Sequence, residues 1–492
     1  MATDISATAD AAKVVPNVPP PAPASKAPSF FAKYKRELGF ILGIVVFLAI
    51  FFMPAQQGLP RQGQQCLALS LMTVVFWATG VAHPGYTSVL LLCAWVWTKT
   101  ADATVVFKLW SNPMIFLVVG GYLIAAAVES SGLGKRIAYV YILRYVNSFT
   151  SIIASAYILG FILSFMIPHP WPRSFMIMSV MAIMIKAMKL PPKDAANIGL
   201  AVFASSVPVS LILLTGDSMI NTIALGFAGV QPSWIKWLWY MGVPGVVASV
   251  LLFLLQVWLF KPTAKVEVKK DEIRELLNGL GKFTRNEKVV MFWVGLAIIV
   301  WATDFIHHIH PAWVAIACAI ILSLPRIGDV LKPADWGKVP IATMFFLTAA
   351  LGIGIVGGVT GMNKWVASVV LPSHVPVNIF LLVLLLTVAT VVIHFFLGSV
   401  LAVMGIVIPS MLVFTANSGI NPLVVTLIVY TAVACHFVFP FHHMNVLVGE
   451  GEGAGKYGPA EVLKLGLPMT LIVFFVTLCV EIPWWKMIGL LK

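Results

Sequence analysis

The stretch that decides how this chain folds is FMIPHPWPR, residues Phe165–Arg173, set in the middle of an apolar run from about 148 to 188 that is too long for one helix. Pro168, Pro170 and Pro172 stand within five residues of one another. Each lacks an N–H and clashes with the turn before it, so no helix continues through them. Non-helical chain persists at membrane depth only where protein or a watery cavity surrounds it, and the run therefore reads as a re-entrant hairpin with an open tip at 168–173. The helix after the tip offers free N–H groups and a positive dipole end, a natural seat for an anion. His169, Pro170 and Arg173 flank that seat as substrate-binding candidates. The plainer readings are an Arg173 that snorkels to the headgroups and a His169 that bonds a carbonyl.

Composition places the run in a membrane. Of 492 residues 60% are hydrophobic and 10% charged, whereas soluble chains carry about a quarter charged residues and under half apolar ones. An aqueous multidomain enzyme is excluded and a polytopic, all-α integral membrane protein is expected. The net charge of +13 does not imply a nucleic-acid partner, which needs a clustered cationic face on a folded soluble domain; here the charges lie between apolar runs. Five cysteines (Cys66, Cys93, Cys318, Cys435, Cys479) sit in apolar stretches without paired spacing, so neither a disulfide framework nor a zinc motif follows. Residues 1–36, with VVPNVPPPAPASKAPS, read as a disordered cytoplasmic tail without a cleavable signal peptide.

A spanning helix needs roughly 20 apolar residues. Runs near that length fall at 38–56, 64–82, 86–98, 110–130, 195–226, 234–260, 289–306, 311–325, 341–361, 420–448 and 463–485, which makes eleven. A second over-long run, 376–416, is broken by FFLGSVLAV and reads as a second re-entrant hairpin beside that of 148–188. This topology puts Lys33, Lys35 and Arg36, Lys135 and Arg136, and Arg326, Lys332 and Lys338 on one side, with the polar linker 261–288. By the positive-inside rule that side is cytoplasmic, and the C-terminus lies outside. A bacterial inner membrane is the expected location.

Internal symmetry organises these segments. GLGKRIA at Gly132–Ala138 pairs with GMNKWVA at Gly361–Ala367 at an offset of 361 − 132 = 229; GVP at Gly242–Pro244 pairs with GLP at Gly466–Pro468, and Asn221 with Asn445, both at 224. Three pairs in order at nearly one spacing imply a duplicated unit, 37–260 and 289–492. Each unit has an odd number of crossings, so the copies point in opposite directions. That is the inverted-repeat plan of secondary transporters, with a substrate site near mid-membrane where broken elements meet.

Two further breaks follow the hairpins: LLTGDSMIN at Leu213–Asn221 and FPFHHMNVLVGEGEG at Phe439–Gly453. Polar and ionisable residues are costly at that depth and are functional candidates by default. Thr215, Gly216, Asp217 and Ser218 are candidates for coordinating a coupling cation; Asn221, Asn445, His442 and His443 are candidates for the substrate. Ser399 at the second tip joins them, whereas His394 reads as a packing histidine. Trp234, Trp237, Trp239, Trp484 and Trp485 read as interfacial anchors, Gly120 and Gly121 as sites of close helix packing, and Asp271–Leu280 as a short amphipathic surface helix.

At these residues the sequence resembles the divalent anion:sodium symporter family of the ion-transporter superfamily. The likeness covers most of 37–485: the span layout, GLGKRIA, WIKWLWYMGVPG, the Asn-containing breaks and AEVLKLGLP. The resemblance implies a homodimer in which a fixed scaffold supports a mobile transport domain, moving an anion by an elevator-like displacement usually coupled to sodium. The family's Ser-Asn-Thr tips fall here on Pro168-His169-Pro170 and on Ser399-Val400-Leu401, so only Ser399 is shared; of the family's Pro-Pro-Asn breaks, Asn221 and Asn445 are shared.

The function expected is secondary active transport of a small anion of the di- or tricarboxylate, sulfonate or sulfate class. Lost tip hydroxyls and amides remove oxygens that sodium needs, and histidine titrates near neutrality, so Na⁺, H⁺ and plain exchange are all open as coupling. No catalysis and no other cofactor are expected. The competing class is a membrane metalloenzyme built on HHIH at His307–His310 and HFVFPFHH at His436–His443; it requires histidines on one membrane side, and the topology places these on opposite sides.

Overall fold

The computed structural model describes residues 34–230, 233–263, 268–370, 374–397, 400–439, 442–449 and 455–491. Most of the N-terminal tail and Ser399 lie outside them. Every regular element among the described residues is helical.

The first half runs α1 (Lys35–Phe51), α2 (Arg61–Thr79), α3 (Pro84–Trp97), α4 (Pro113–Ser131), α5 (Leu133–Tyr145), α6 (Phe149–Ser164), α7 (Pro170–Ala187), α8 (Pro192–Ser206), α9 (Ile220–Ala228) and α10 (Trp234–Leu259). After α11 (Asp271–Gly279) the second half follows as α12 (Arg285–Ala302), α13 (Pro311–Ser323), α14 (Ile341–Val359), α15 (Met362–Val370), α16 (Ile379–Phe396), α17 (Val400–Thr415), α18 (Pro422–Ala434), α19 (Pro459–Phe475) and α20 (Ile482–Met487). By length and composition six helical stretches are long and apolar enough to cross a membrane, and shorter apolar helices such as α3, α6, α13 and α18 accompany them. The sequence expects eleven spans; several of the corresponding helices are short, because prolines start them late and breaks end them early.

The paired motifs occupy equivalent places. Gly132 after α4 and Gly361 after α14 both adopt φ 78°, and each turns a long helix into the short one that follows. That left-handed turn needs a residue without a Cβ. Pro244 and Pro468 lie inside α10 and α19. Near each proline a glycine presses on a broken segment, though at positions that do not correspond in the paired motif: a Cβ on Gly245 would overlap Ile212, and one on Gly466 would overlap the Phe437 carbonyl. The halves also pack on one another, α3 against α14 and α4 against α13. Gly120 allows the second contact by lying against Ala315.

The basic loops come together. Arg136 pairs with Glu287 at 2.6 Å and donates to the Gly281 carbonyl at 2.9 Å, while Lys270 reaches the Leu143 carbonyl and Arg285 the Gly328 carbonyl. Burial works against the Glu287 charge, but Arg136 and the Thr284 N–H hold its carboxyl below the ordinary 4.5. The expected surface helix at 271–280 forms as α11, with Ile273 turned inward.

Candidate functional site

The chain is non-helical between Phe165 and His169. α6 ends at Ser164, α7 starts at Pro170, and the two helices pack together. His169 caps α7, its Nδ1 accepting the Trp171 N–H at 3.2 Å, while Nε2 meets the Tyr122 hydroxyl at 3.3 Å. The Pro168 carbonyl accepts the Ser218 N–H at 3.0 Å, which ties the tip to the first break. Gly121 makes room for this junction rather than for a neighbouring helix, since a Cβ there would stand 3.0 Å from both Pro168 and Ser218 Oγ.

Arg173 does not snorkel. Its side chain is 1% exposed, and the guanidinium donates to the Ile167 carbonyl (3.1 Å), the Gly216 carbonyl (2.9 Å) and Ser210 Oγ (2.8 Å). Its Nε has no partner among the described residues, and no acidic side chain pairs with it there.

The first break runs through Val209–Ile212, a 3-10 turn at Leu214–Asp217 and then α9. Its polar groups are largely engaged. Asn221 donates to the carbonyls of Ser210, Leu213 and Leu214 and accepts from the Tyr430 hydroxyl of α18. Asp217 Oδ1 caps α9 by accepting from Met219 and Ile220. Thr215 accepts the Trp234 indole N–H, and Gly216 lends its carbonyl to Arg173. Ser218 Oγ is buried without a partner among the described residues.

Two of the tryptophans read as interfacial anchors brace this region instead: Trp234 and Trp237 are buried, and the Trp237 indole donates to the Leu211 carbonyl; Trp485, also buried, donates to the Tyr240 carbonyl of α10. Helix α10 runs beside the broken chain, and its Trp234 and Trp237 indoles donate to the Thr215 hydroxyl and the Leu211 carbonyl that the break leaves without helical partners.

The second break follows α18 and includes a 3-10 turn at Met444–Gly449 that packs on α7. Asn445 donates to Ser206 Oγ at 3.1 Å. Ser206 lies one turn before Ser210, whose hydroxyl meets Arg173 and donates to the Ser206 carbonyl. The tip of the first hairpin and the breaks of both halves thus converge on the end of α8. Asn445 contacts that end at Ser206, and Asn221 contacts the Ser210 carbonyl one turn further on.

His442 and His443 are buried rather than on a surface, and with His436 they gather around His394. His394 is no isolated packing residue: its Nδ1 lies 3.0 Å from His436 Nδ1 and its ring stacks on His442 at 4.3 Å. Ligand atoms of His394, His436 and His442 all lie within 4.8 Å of one another. His307 and His310 serve local turns, accepting from Ile309 and Ala312. Sequence reasoning also missed Glu481, fully buried in a π-helical turn after α19 and bonded to Thr431. An acid in an apolar stretch near the C-terminus was its only signal.

Among the described residues a cleft of about 490 Å³ lies away from this convergence, at the far end of α7, lined by Ala182, Ile185, Lys186, Lys189, Leu190 and Lys456.

Breaks in apolar helices, a repeated element order and a buried cation at their junction define an integral, multi-pass membrane protein of the secondary anion transporter class. Residues 34–491 match the family described as the sodium:sulfate symporter transmembrane region, and the chain belongs to that family, the divalent anion:sodium symporters. It is 24% identical to a membrane protein of Cupriavidus necator over 93% of this chain and 94% of that one. It is 25% identical to the sodium-dependent dicarboxylate transporter SdcS of Staphylococcus saprophyticus over 90% of each. Its fold matches the Alcanivorax borkumensis YdaH transporter with a TM-score of 0.51 at 16% identity, covering 79% of this chain and 90% of that one.

Proposed function

We propose that the chain carries a small anion, of the di- or tricarboxylate, sulfonate or sulfate class, by an elevator-type alternating-access movement. The observation that carries this reading is Arg173. A buried positive charge whose hydrogen bonds go only to neutral oxygens is costly, and a junction that retains one is suited to an anion. Asp217, whose Oδ1 caps α9, acts on that charge through space without a hydrogen bond to it. His169 and Asn445 complete the polar lining.

In this reading α6–α7 and α16–α17 are re-entrant hairpins, and 37–260 and 289–492 are inverted halves joined by a cytoplasmic linker at 261–288. The N-terminus is cytoplasmic, the C-terminus is outside, and the working unit is a homodimer in a bacterial inner membrane. The dicarboxylate relatives make sodium the first coupling ion to test. Arg173 on the Gly216 carbonyl puts positive charge where the first break would seat a cation, so the coupling cation belongs to the second half.

The test is uptake by proteoliposomes of labelled succinate, citrate, taurine and sulfate across sodium and pH gradients. Accumulation of at least one, lost in His169→Ala and Asn445→Ala, is expected. Uptake unaffected by both substitutions would remove the site, and no uptake of any under any gradient would remove the function.

A further inference from the structure

Among the described residues Glu481 is the one buried acid that meets neither a cation nor a backbone N–H. Asp194, Asp217, Asp304 and Asp335 each accept from the main chain, and Glu287 pairs with Arg136. Glu481 is fully buried, and its one bond there comes from the Thr431 hydroxyl to Oε1. Oε2 has no partner among the described residues. A proton does not repair this: on Oε2 it would have no acceptor, and on Oε1 it would leave Oε2 bare. An orphaned buried oxygen of this kind calls for an explanation.

Glu481 closes the π-helical turn Val476–Glu481 between α19 and α20, and such turns recur at functional sites. The turn packs on α10, α16 and α18. Thr431 of α18 spends its hydroxyl hydrogen on Glu481 and keeps lone pairs on Oγ. Thr477 stands four residues before Glu481, on the same face of its helix. It accepts the Thr387 hydroxyl of α16 at 3.3 Å and donates to the Val473 carbonyl at 3.1 Å, so one lone pair remains. All three threonines are fully buried. No lysine or arginine pairs with Glu481 among the described residues. Lys486, five residues on, lies over the Phe380 ring instead. Tyr430 is committed to Asn221, and His394 turns to His436 and His442.

We infer that Glu481, Thr431 and Thr477 bind a sodium ion, and that this ion is the coupling cation of transport. The donor set selects the ion. Carboxylate and hydroxyl oxygens suit a hard cation rather than a transition metal. One carboxylate neutralises one charge, and a divalent ion would leave a net positive charge in an apolar interior. Sodium gives Oε2 the partner it lacks, and the carboxylate gives the ion its counter-charge. Glu481 lies in the second half, where the positive charge of Arg173 on the first break leaves the coupling cation to bind. The coupling role rests on the transport reading; the binding site does not.

Equilibrium binding of ²²Na⁺ to the full chain in lipid nanodiscs, with choline holding ionic strength constant, tests the site. Glu481→Gln should bind one sodium fewer than the parent. Thr477→Val and Glu481→Asp should weaken that one binding event about tenfold or more, since even indirect partners of a metal ligand cost about 10–100-fold in affinity. Scanning calorimetry shows which variants fold, and should Glu481→Gln not fold the other two carry the test. A parent that binds no sodium, or folded variants with the parental number and affinity, overturns the site.

Uptake of succinate and sulfate by proteoliposomes tests the coupling. An inward sodium gradient at fixed pH should drive accumulation of at least one of them. Half-saturating sodium should rise about tenfold in Thr477→Val, with the parental rate restored at saturating sodium. General damage would instead lower the rate at every sodium concentration. Accumulation that follows pH and ignores sodium, or a parental sodium dependence in Thr477→Val, overturns the coupling role and leaves the transporter reading standing. Failure to move any anion under any gradient overturns the transporter reading, and the site is then judged by its sodium count.

Discussion

Replacing Arg173 separates an anion counter-charge from a mere strut. The guanidinium makes three hydrogen bonds, to Ile167, Gly216 and Ser210. Hydrogen bonds inside membrane proteins contribute about 0.6 kcal/mol on average and up to about 1.7, so losing all three in Arg173→Met costs roughly 2–5 kcal/mol. Arg173→Lys keeps the charge on a single compact donor that cannot fork to three acceptors, and should recover a third or so of that loss. Both variants should therefore melt at lower temperature, the methionine more so. Uptake by the folded fraction discriminates further. If the charge holds the anion, Arg173→Lys transports with a raised KM and Arg173→Met does not transport at all. The assay is initial-rate uptake in proteoliposomes, normalised to folded protein. A folded Arg173→Met with the parental KM would refute the reasoning.

Other substitutions follow the same logic. Asn445→Ala removes one hydrogen bond and should abolish uptake with little change in melting, whereas Asn221→Ala cuts four bonds, one of them to Tyr430 of the second half, and should lower the melting temperature markedly; scanning calorimetry with uptake separates the two. Gly466→Ala forces a methyl into the Phe437 carbonyl, and overpacking of this kind costs about 1–3 kcal/mol, read as a lower melting point. Lys186, Lys189 and Lys456 changed together to Gln should raise KM at low salt and flatten its salt dependence, because clustered charge at a cleft steers anions. Glu287 is held below its ordinary 4.5, so its pairing stabilises the fold above that value and the contribution is lost as pH falls through the lowered one. Thermal melting of Glu287→Gln should lack that acid-side decline.

The element plan was legible in the sequence because its signals are local. Three prolines at 168–172 stop a helix whatever surrounds them, and Gly132 and Gly361 announce the same turn in each half. The boundaries of short helices such as α13 were less legible, since apolar composition continues past their ends. The site was legible as residues but not as bonds. Asn221 and Arg173 could be named, yet that Arg173 reaches the Gly216 carbonyl, or that Trp234 and Trp237 brace a break instead of a headgroup layer, depends on α10 lying beside the broken chain. His394 was misjudged for the same reason: its partners are 42 to 49 residues away (436 − 394 and 443 − 394) and come from another element.

The account stands on an anion held where the first tip and both breaks meet. A cryo-electron microscopy map of the full chain in lipid nanodiscs with a transported anion tests this most directly. The account predicts density within hydrogen-bond reach of Arg173 and Asn445, between the tips of the two helix pairs. Density for the anion elsewhere, with Arg173 unchanged and enclosed by side chains alone, would contradict it.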